Sequence, residues 1–331
     1  MKNKIIFAAL TSVLIASCSS NNENSVVDRS AHELGVTVAP LTGVLSTRSI
    51  KSSFVKDDQV AVFVNGTGYI PSVSKYILAA NLTTWTPDAK IYLSNEIATV
   101  YGFYPASATA TLKTDGTSTI SVSVPVSDAF GSTSQDDYMY ATSVSSDGGA
   151  TYPLAKASNN TPENGSGGRN VNLVFHHALS KLSFVVNRAS TYTGTGTLSE
   201  IKLESTSATD PFNVGSGTMN VGDGTFSFVS DTPTSPFLDF TGSATINPSS
   251  TATDHTTELI VAPKKSTQNI TLSLKIDGKM MTTTLPATLV SGWTLGKNYV
   301  YTVIVNGTEL IIQSIKIQDW IETTGGSCNV E

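Results

Sequence analysis

The chain is poor in arginine, cysteine and histidine, and each scarcity removes a class of explanation. Arg29, Arg48, Arg169 and Arg188 are its only arginines, so a protease that cuts after arginine finds few targets. Cys18 and Cys328 are its only cysteines, which excludes a disulfide framework. Four histidines with no neighbouring cysteine give little to build a metal centre from. A formal charge of −6 and a pI near 5.2 leave no basic surface for nucleic acid. There is no G-x-S-x-G elbow and no glycine-rich phosphate loop between a strand and a helix. Helical periodicity is missing too, apart from short turns that could form at 128–136 or 178–181. The expectation is a non-enzymatic protein without cofactor or metal.

What the chain does have is alternation. In "TISVSVPV" Ile120, Val122, Val124 and Val126 face one way and the serines the other. In "NITLSLKI" Ile270, Leu272, Leu274 and Ile276 point inward, and in "VYTVIV" Val300, Thr302 and Ile304 oppose Tyr301, Val303 and Val305. Period two with β-branched residues is strand chemistry. Turn pairs punctuate the runs at Asn65-Gly66, Asp115-Gly116, Asp223-Gly224, Asp277-Gly278 and Asn306-Gly307. Strands this short and numerous close into sandwiches, so the fold class is all-β. Without disulfides it needs a real core, which 39% hydrophobic residues can supply. The polar stretch "KASNNTPENGSGGRN", residues 156–170, separates two strand-rich parts of similar length.

At the N-terminus, Lys2 and Lys4 precede an apolar run from Ile5 to Ala16 and then "IASCSS". The run is too short to span a bilayer and reads as a secretory signal over residues 1–17. Cys18 follows small residues and resembles a bacterial lipobox, in which a signal peptidase leaves a lipidated, palmitate-bearing cysteine as the new first residue. Ile15 stands where that pattern prefers leucine, and the bland alternative is an ordinary signal peptide with a chance cysteine. The polar string "SSNNENS" that follows reads as a tether.

Several residues invite sharper readings. His176 and His177 are adjacent, but strand neighbours point to opposite faces and cannot chelate one ion together. A structural or surface role is the alternative. Asp136-Asp137 could suggest calcium or glycoside chemistry, yet "STSQDDYMYA" reads as a solvated loop entering a strand. Tyr101, Phe103 and Tyr104 in "VYGFYPAS", with Trp85, could form a glycan platform, although alternation sends Tyr101 and Phe103 toward a core.

Taken in order, "STRS", "DQVAVFVN", "VYGFYPAS", "DDYMYATS", "LVFHHALSKLSFVV", "ELIVAPKK", "GWTLGKNYVYTVIV" and "IKIQDW" resemble the fimbrillins of anaerobic Gram-negative gut and oral bacteria, major or minor fimbrial subunit lipoproteins. Cys328 carries no pattern that fits. The resemblance implies two tandem transthyretin-like β-sandwich domains, here 49–160 and 171–331. It implies a structural subunit of a surface fimbrium (pilus), supporting adhesion, with a fimbrial tip adhesin or glycan-binding surface lipoprotein as the alternative. The implied route is an outer-membrane lipoprotein anchored through Cys18, then cleavage by an arginine-specific protease, then an extracellular fimbrium. The implied partners are other fimbrial subunits, as homopolymer or with anchor and tip subunits, and a host or bacterial surface ligand.

The implied cut falls between Arg48 and Ser49, removing residues 18–48 as tether and first strand. Residues 34–45, "LGVTVAPLTGVL", have apolar content for one strand, with Leu34, Val36 and Val38 on a common face. Deleting a strand exposes unpaired backbone and empty side-chain sockets, a template that a neighbour's strand fills over about 1,000 Å². Head-to-tail contacts of that kind do not close and so build filaments. Cutting at Arg29 instead would free the lipid without opening any socket. The candidate donor strand is "ELIIQSIKIQDWIE", where Leu310, Ile312, Ile315 and Ile317 supply apolar teeth with a phase change near Gln313 and Ser314. Its bland alternative is the last strand of its own sandwich.

Overall fold

A computed structural model describes residues 32–41, 53–130, 136–143, 154–155, 169–207, 210–228, 235–264, 268–287, 292–307 and 309–320. Among these residues the chain forms strands and no α-helix. The strands pair into four sheets. The largest runs β1 (Gly35–Val38), β11 (Asn170–His177), β9 (Met139–Ser143), β5 (Ala98–Tyr104), β2 (Gln59–Asn65), β3 (Ser74–Leu78) and β4 (Trp85–Pro87), with β10 (Leu154–Ala155) on β5. A small sheet runs β15 (Phe226–Phe228), β14 (Gly215–Asn220), β7 (Thr119–Val124) and β6 (Ala110–Thr111). The third runs β17 (Thr257–Val261), β12 (Ser180–Arg188), β20 (Lys297–Asn306) and β21 (Glu309–Asp319). The fourth runs β19 (Lys279–Leu285), β18 (Ile270–Ile276), β13 (Thr197–Ser205), β16 (Phe237–Thr245) and β8 (Ser127–Ala129).

Alternation decides which face each strand buries. Ile270, Leu272, Leu274 and Ile276 are at most 1% exposed and pack with Tyr301, Val303 and Val305 between the third and fourth sheets. Each such side chain contributes about 1.5–3 kcal/mol over its exposed state. β2 is buried on both faces. Val60, Val62 and Val64 enter a core with Tyr76, Trp85 and Phe175, whereas Ala61 and Phe63 enter a second core with Ile120, Val122 and Met219. The largest sheet curls around the first of these cores until β1 meets the segment after β4, through a bridge between Glu33 and Tyr92.

The structure departs from the sequence reading in three places. Residues 127–129 form strand β8 and residues 178–179 link β11 directly to β12, so neither described segment makes a helical turn. Strand pairing also does not break at the polar stretch. β11 follows that stretch but joins the largest sheet, β14, which carries β15, reaches back to β7, and β8 reaches forward to β16. A glycine- and proline-rich run marks a loop, but which sheet the next strand joins depends on pairing that local composition does not encode. Lastly, Asp137 is buried rather than solvated, while its neighbour Asp136 is exposed.

Candidate functional site

β1 is the end strand of the largest sheet, and it and the residues just before it are held on opposite flanks, β1 by β11 and residues 32–34 by residues 91–93. On one side Gly35 N–H donates to Arg169 O at 2.7 Å and Ala39 N–H to Leu173 O at 2.8 Å, in a parallel register that sets Val36 beside Val171. On the other, Leu34 N–H donates to Ile91 O at 2.8 Å and Leu93 N–H to His32 O at 2.8 Å. Leu34 is 1% exposed, and Val36 and Leu41 are buried in the same core, with Val38 packed partly against it. Gly35 has a steric reason: a Cβ there would stand 2.0 Å from Asn170 Oδ1. Tyr76 Oη reaches Leu34 O at 3.4 Å, and burial pushes its phenol above the ordinary range, with Glu33 and Asp88 adding to the effect. Outside, Lys90 Nζ pairs with Glu33 Oε2 at 2.7 Å. β1 therefore fills sockets that no other described segment fills.

Cys18, Arg29, Arg48, Ser49 and Cys328 lie outside the described residues. Arg48 and Ser49 fall in the chain between Leu41 and β2, which also carries Phe54. Phe54 packs edge-on against Trp85 at 5.3 Å, Phe175 at 5.6 Å and Tyr104 at 5.9 Å. Trp85 and Tyr104 are thus engaged in the core beneath β1, and Tyr101 stacks on Phe63 at 5.0 Å in the other core. Phe103 is fully buried in that second core, so Trp85, Tyr101, Phe103 and Tyr104 do not form an exposed platform.

β21 is the edge of the third sheet, paired antiparallel with β20 along its length. Leu310 is buried, Ile312 and Ile315 pack partly against the core, and Ile317 is 53% exposed. The ladder shifts register between Thr302 and Val303 so that Gln313 has no partner in it, which is the phase change expected from the sequence. The structure does not bring β21 to the β1 slot: in this conformation it belongs to its own sheet.

The far end of β21 is fastened by a cluster that the sequence reading did not assemble. Trp320 stacks on His177 with centroids 3.9 Å apart and planes 6° from parallel, and its backbone N–H donates to Gly296 O at 2.9 Å. His177 Nδ1 lies 3.0 Å from Asp137 Oδ1, both side chains being 2% exposed. His176 points the other way, against Tyr140, and burial holds its pKa below the ordinary value, with His177 adding to this. The opposite-face argument anticipated that split, but nothing local linked Asp137, His177 and Trp320, which are far apart in sequence. Among the described residues, no group of three or more His, Cys, Asp or Glu could hold a metal ion.

Two lysines of the motifs quoted above, Lys264 and Lys181, also make structural contacts. Lys264 Nζ, 4% exposed on its side chain, donates to Asp210 Oδ1, Asp210 O and Pro211 O at 2.6–2.9 Å. Lys181 Nζ pairs with Glu258 Oε1 at 2.8 Å. In "GWTLGKNYVY", Trp293 Nε1 donates to Tyr301 Oη at 2.9 Å and Thr294 N–H to Tyr299 Oη at 2.9 Å. These motif residues are parts of the packing.

Comparison with known proteins sets these features in context. The fold is similar to that of a candidate cell adhesion protein of Bacteroides uniformis, with 17% identity, a TM-score of 0.55, and coverage of 87% of this chain and 97% of that one. It is similar also to a candidate cell adhesion protein of Bacteroides ovatus, with 15% identity, a TM-score of 0.55, and coverage of 88% and 99%. No curated protein matches the chain at a significant level. A family model described as fimbrillin-like matches residues 47–320, a span that starts one residue before Arg48 and ends on the latched Trp320, and the chain belongs to that fimbrillin-like family.

Proposed function

We propose that the protein is a structural subunit of a cell-surface fimbrium, exported as an outer-membrane lipoprotein through Cys18 and assembled after cleavage between Arg48 and Ser49. The observation that carries this reading is the seat of residues 32–39, with β1 bonded to β11 and residues 32–34 bonded to residues 91–93, in a segment that precedes Arg48. A cut at Arg48 would release the lipid and the insert together, whereas a cut at Arg29 would leave β1 in place. The emptied slot would present unpaired backbone on two flanks and the sockets of Leu34, Val36 and Leu41, which an incoming strand of another subunit fills. β21, an edge strand with an exposed isoleucine, is the donor we propose. Family membership and the buried state of the candidate aromatics support a structural rather than enzymatic or glycan-reading role.

The test is to treat the purified precursor with an arginine-specific protease and run it unboiled on a gel. A ladder of multimers with new N-termini at Ser49 is expected. Protein trimmed at Ser49 that stays strictly monomeric would overturn the proposal.

A further inference from the structure

Two loops at one end of the largest sheet hold apolar side chains out in solvent. Ile70, between β2 and β3, is 91% exposed, more than any other large hydrophobic side chain among the described residues. Ile97 and Tyr92, between β4 and β5, are 47% and 42% exposed. The loops are fastened to each other: Ser94 N–H donates to Tyr69 Oη at 2.8 Å, and Tyr69 Oη donates to Glu96 O at 2.9 Å. With Tyr69 so held, Ile70 is presented in advance, and covering it costs little further ordering. His32, from which the chain leads back to Cys18, lies at this same end. Its carbonyl accepts from Leu93 N–H, one residue from Ser94, and Glu33 bridges to Tyr92. The 14 residues from Cys18 to His32 reach at most about 50 Å when fully extended. A lipid on Cys18 would therefore keep these loops close to the bilayer that holds it.

Resting on the lipid-anchor reading above, we infer that Ile70, Ile97 and Tyr92 of the uncut precursor rest on the phospholipid surface as a shallow second contact. Apolar loop tips beside a tyrosine suit a bilayer interface, where the ring lies among the headgroups. The exposed carboxylate of Glu96 beside Ile97 keeps the contact at headgroup depth. Lys90 is paired with Glu33, so the contact does not depend on anionic lipid. Two isoleucines and a tyrosine would not hold a free protein on a membrane. A tether makes the encounter intramolecular, so a weak contact is enough to orient the subunit. That orientation turns the cleavage side outward. β5 runs from Ala98, next to Ile97, to Tyr104, about 20 Å away, and Phe54 packs on Tyr104. Leu41 and Phe54, which flank the segment carrying Arg48, share that core. A protease in the medium thus meets the end of the sheet that the membrane leaves free. Cutting removes the tether, and the contact goes with it.

The experiment uses the lipidated full chain carrying Cys328→Ser, reconstituted on phosphatidylcholine vesicles that include a lipid spin-labelled in its headgroup. A polarity-sensitive fluorophore is attached at Thr67→Cys, in the loop of Ile70, or at Lys279→Cys, on the β18–β19 hairpin, both exposed positions. Emission from position 67 should be blue-shifted and quenched by the spin label, and emission from position 279 should not. Adding Ile70→Ser and Ile97→Ser should abolish the quenching at 67 while the protein still floats with the vesicles, and so should cleavage with an arginine-specific protease, which releases the protein. Equal quenching at both positions, or quenching at 67 that survives the two serines, would overturn the contact and leave the anchor standing. Energy transfer between donor- and acceptor-labelled Thr67→Cys chains without quenching by lipid would assign the loops to a second copy, which also overturns it. A precursor that does not float with vesicles at all would overturn the lipid-anchor reading beneath it.

Discussion

Asp277 occupies the two-residue connection of β18 and β19, at φ 49° beside Gly278 at φ 78°. Positive φ at both positions matches the twist of a tight hairpin, which is why the Asp-Gly pair stands there. Its carboxylate accepts from Thr195 Oγ1 and Tyr192 Oη at 2.6 Å and from the N–H groups of Thr197 and Gly196 at 2.8 and 2.9 Å. These donors, the Thr195 hydroxyl foremost, hold the carboxyl well below the usual carboxylate range. Burial, with the Asp277 contact adding to it, pushes the Tyr192 phenol up to about 12. A folded pKa below the unfolded one gives stability that is complete above about pH 4 and lost as the pH falls from there toward the folded value. Thermal scans down to pH 2 should show that decline, and Asp277→Asn, which still tolerates positive φ, should flatten it. Gly35 supplies a second prediction at this scale. Gly35→Val should destabilise the uncut protein by about 1–3 kcal/mol in urea denaturation. Adding Asn170→Ala should recover much of that loss, because the clash is with the Asn170 side chain.

At the scale of the element, β21 offers a contrast within one strand. Leu310→Ala should cost about 2–3 kcal/mol in denaturant melts, since the side chain is buried in the core. Ile317→Ala should change the melt by less than about 0.5 kcal/mol, because the side chain is half exposed. Strands such as β7, β18 and β20 were legible because period-two alternation is written locally and the buried residues fall where it puts them. Even the bulge in β21 showed as a phase change. What alternation cannot write is partnership between distant segments. That β1 would pair with β11 while residues 32–34 bond to residues 91–93, that β14 would reach back to β7, and that Asp137 would meet His177, on which Trp320 stacks, are all decided by long-range pairing. Asp137 shows the limit most clearly, since an acidic pair entering a strand gives no local sign that one member is destined for a buried imidazole.

For the whole molecule, the Trp320 and His177 stack ties the end of β21 to the end of β11, the strand that also carries β1. A strand that leaves its sheet must first break this stack. Trp320→Ala in processed protein should therefore assemble faster in light-scattering traces while the uncut form stays monomeric, and slower assembly would speak against β21 as donor. The same layout bears on tension. If subunits are joined at the β1 slot and through β21, a pull along the filament enters at β11 and passes into β12 across only Ala178 and Leu179, along covalent backbone. From β12 it crosses to β20 by a parallel ladder running from Lys181 beside Asn298 to Arg188 beside Val305. Strands pulled along their length load every rung of such a ladder together, whereas pulling across them would open the rungs one at a time. With subunits so joined, the direct passage from β11 to β12 would make each a link that is sheared, not unzipped, under flow.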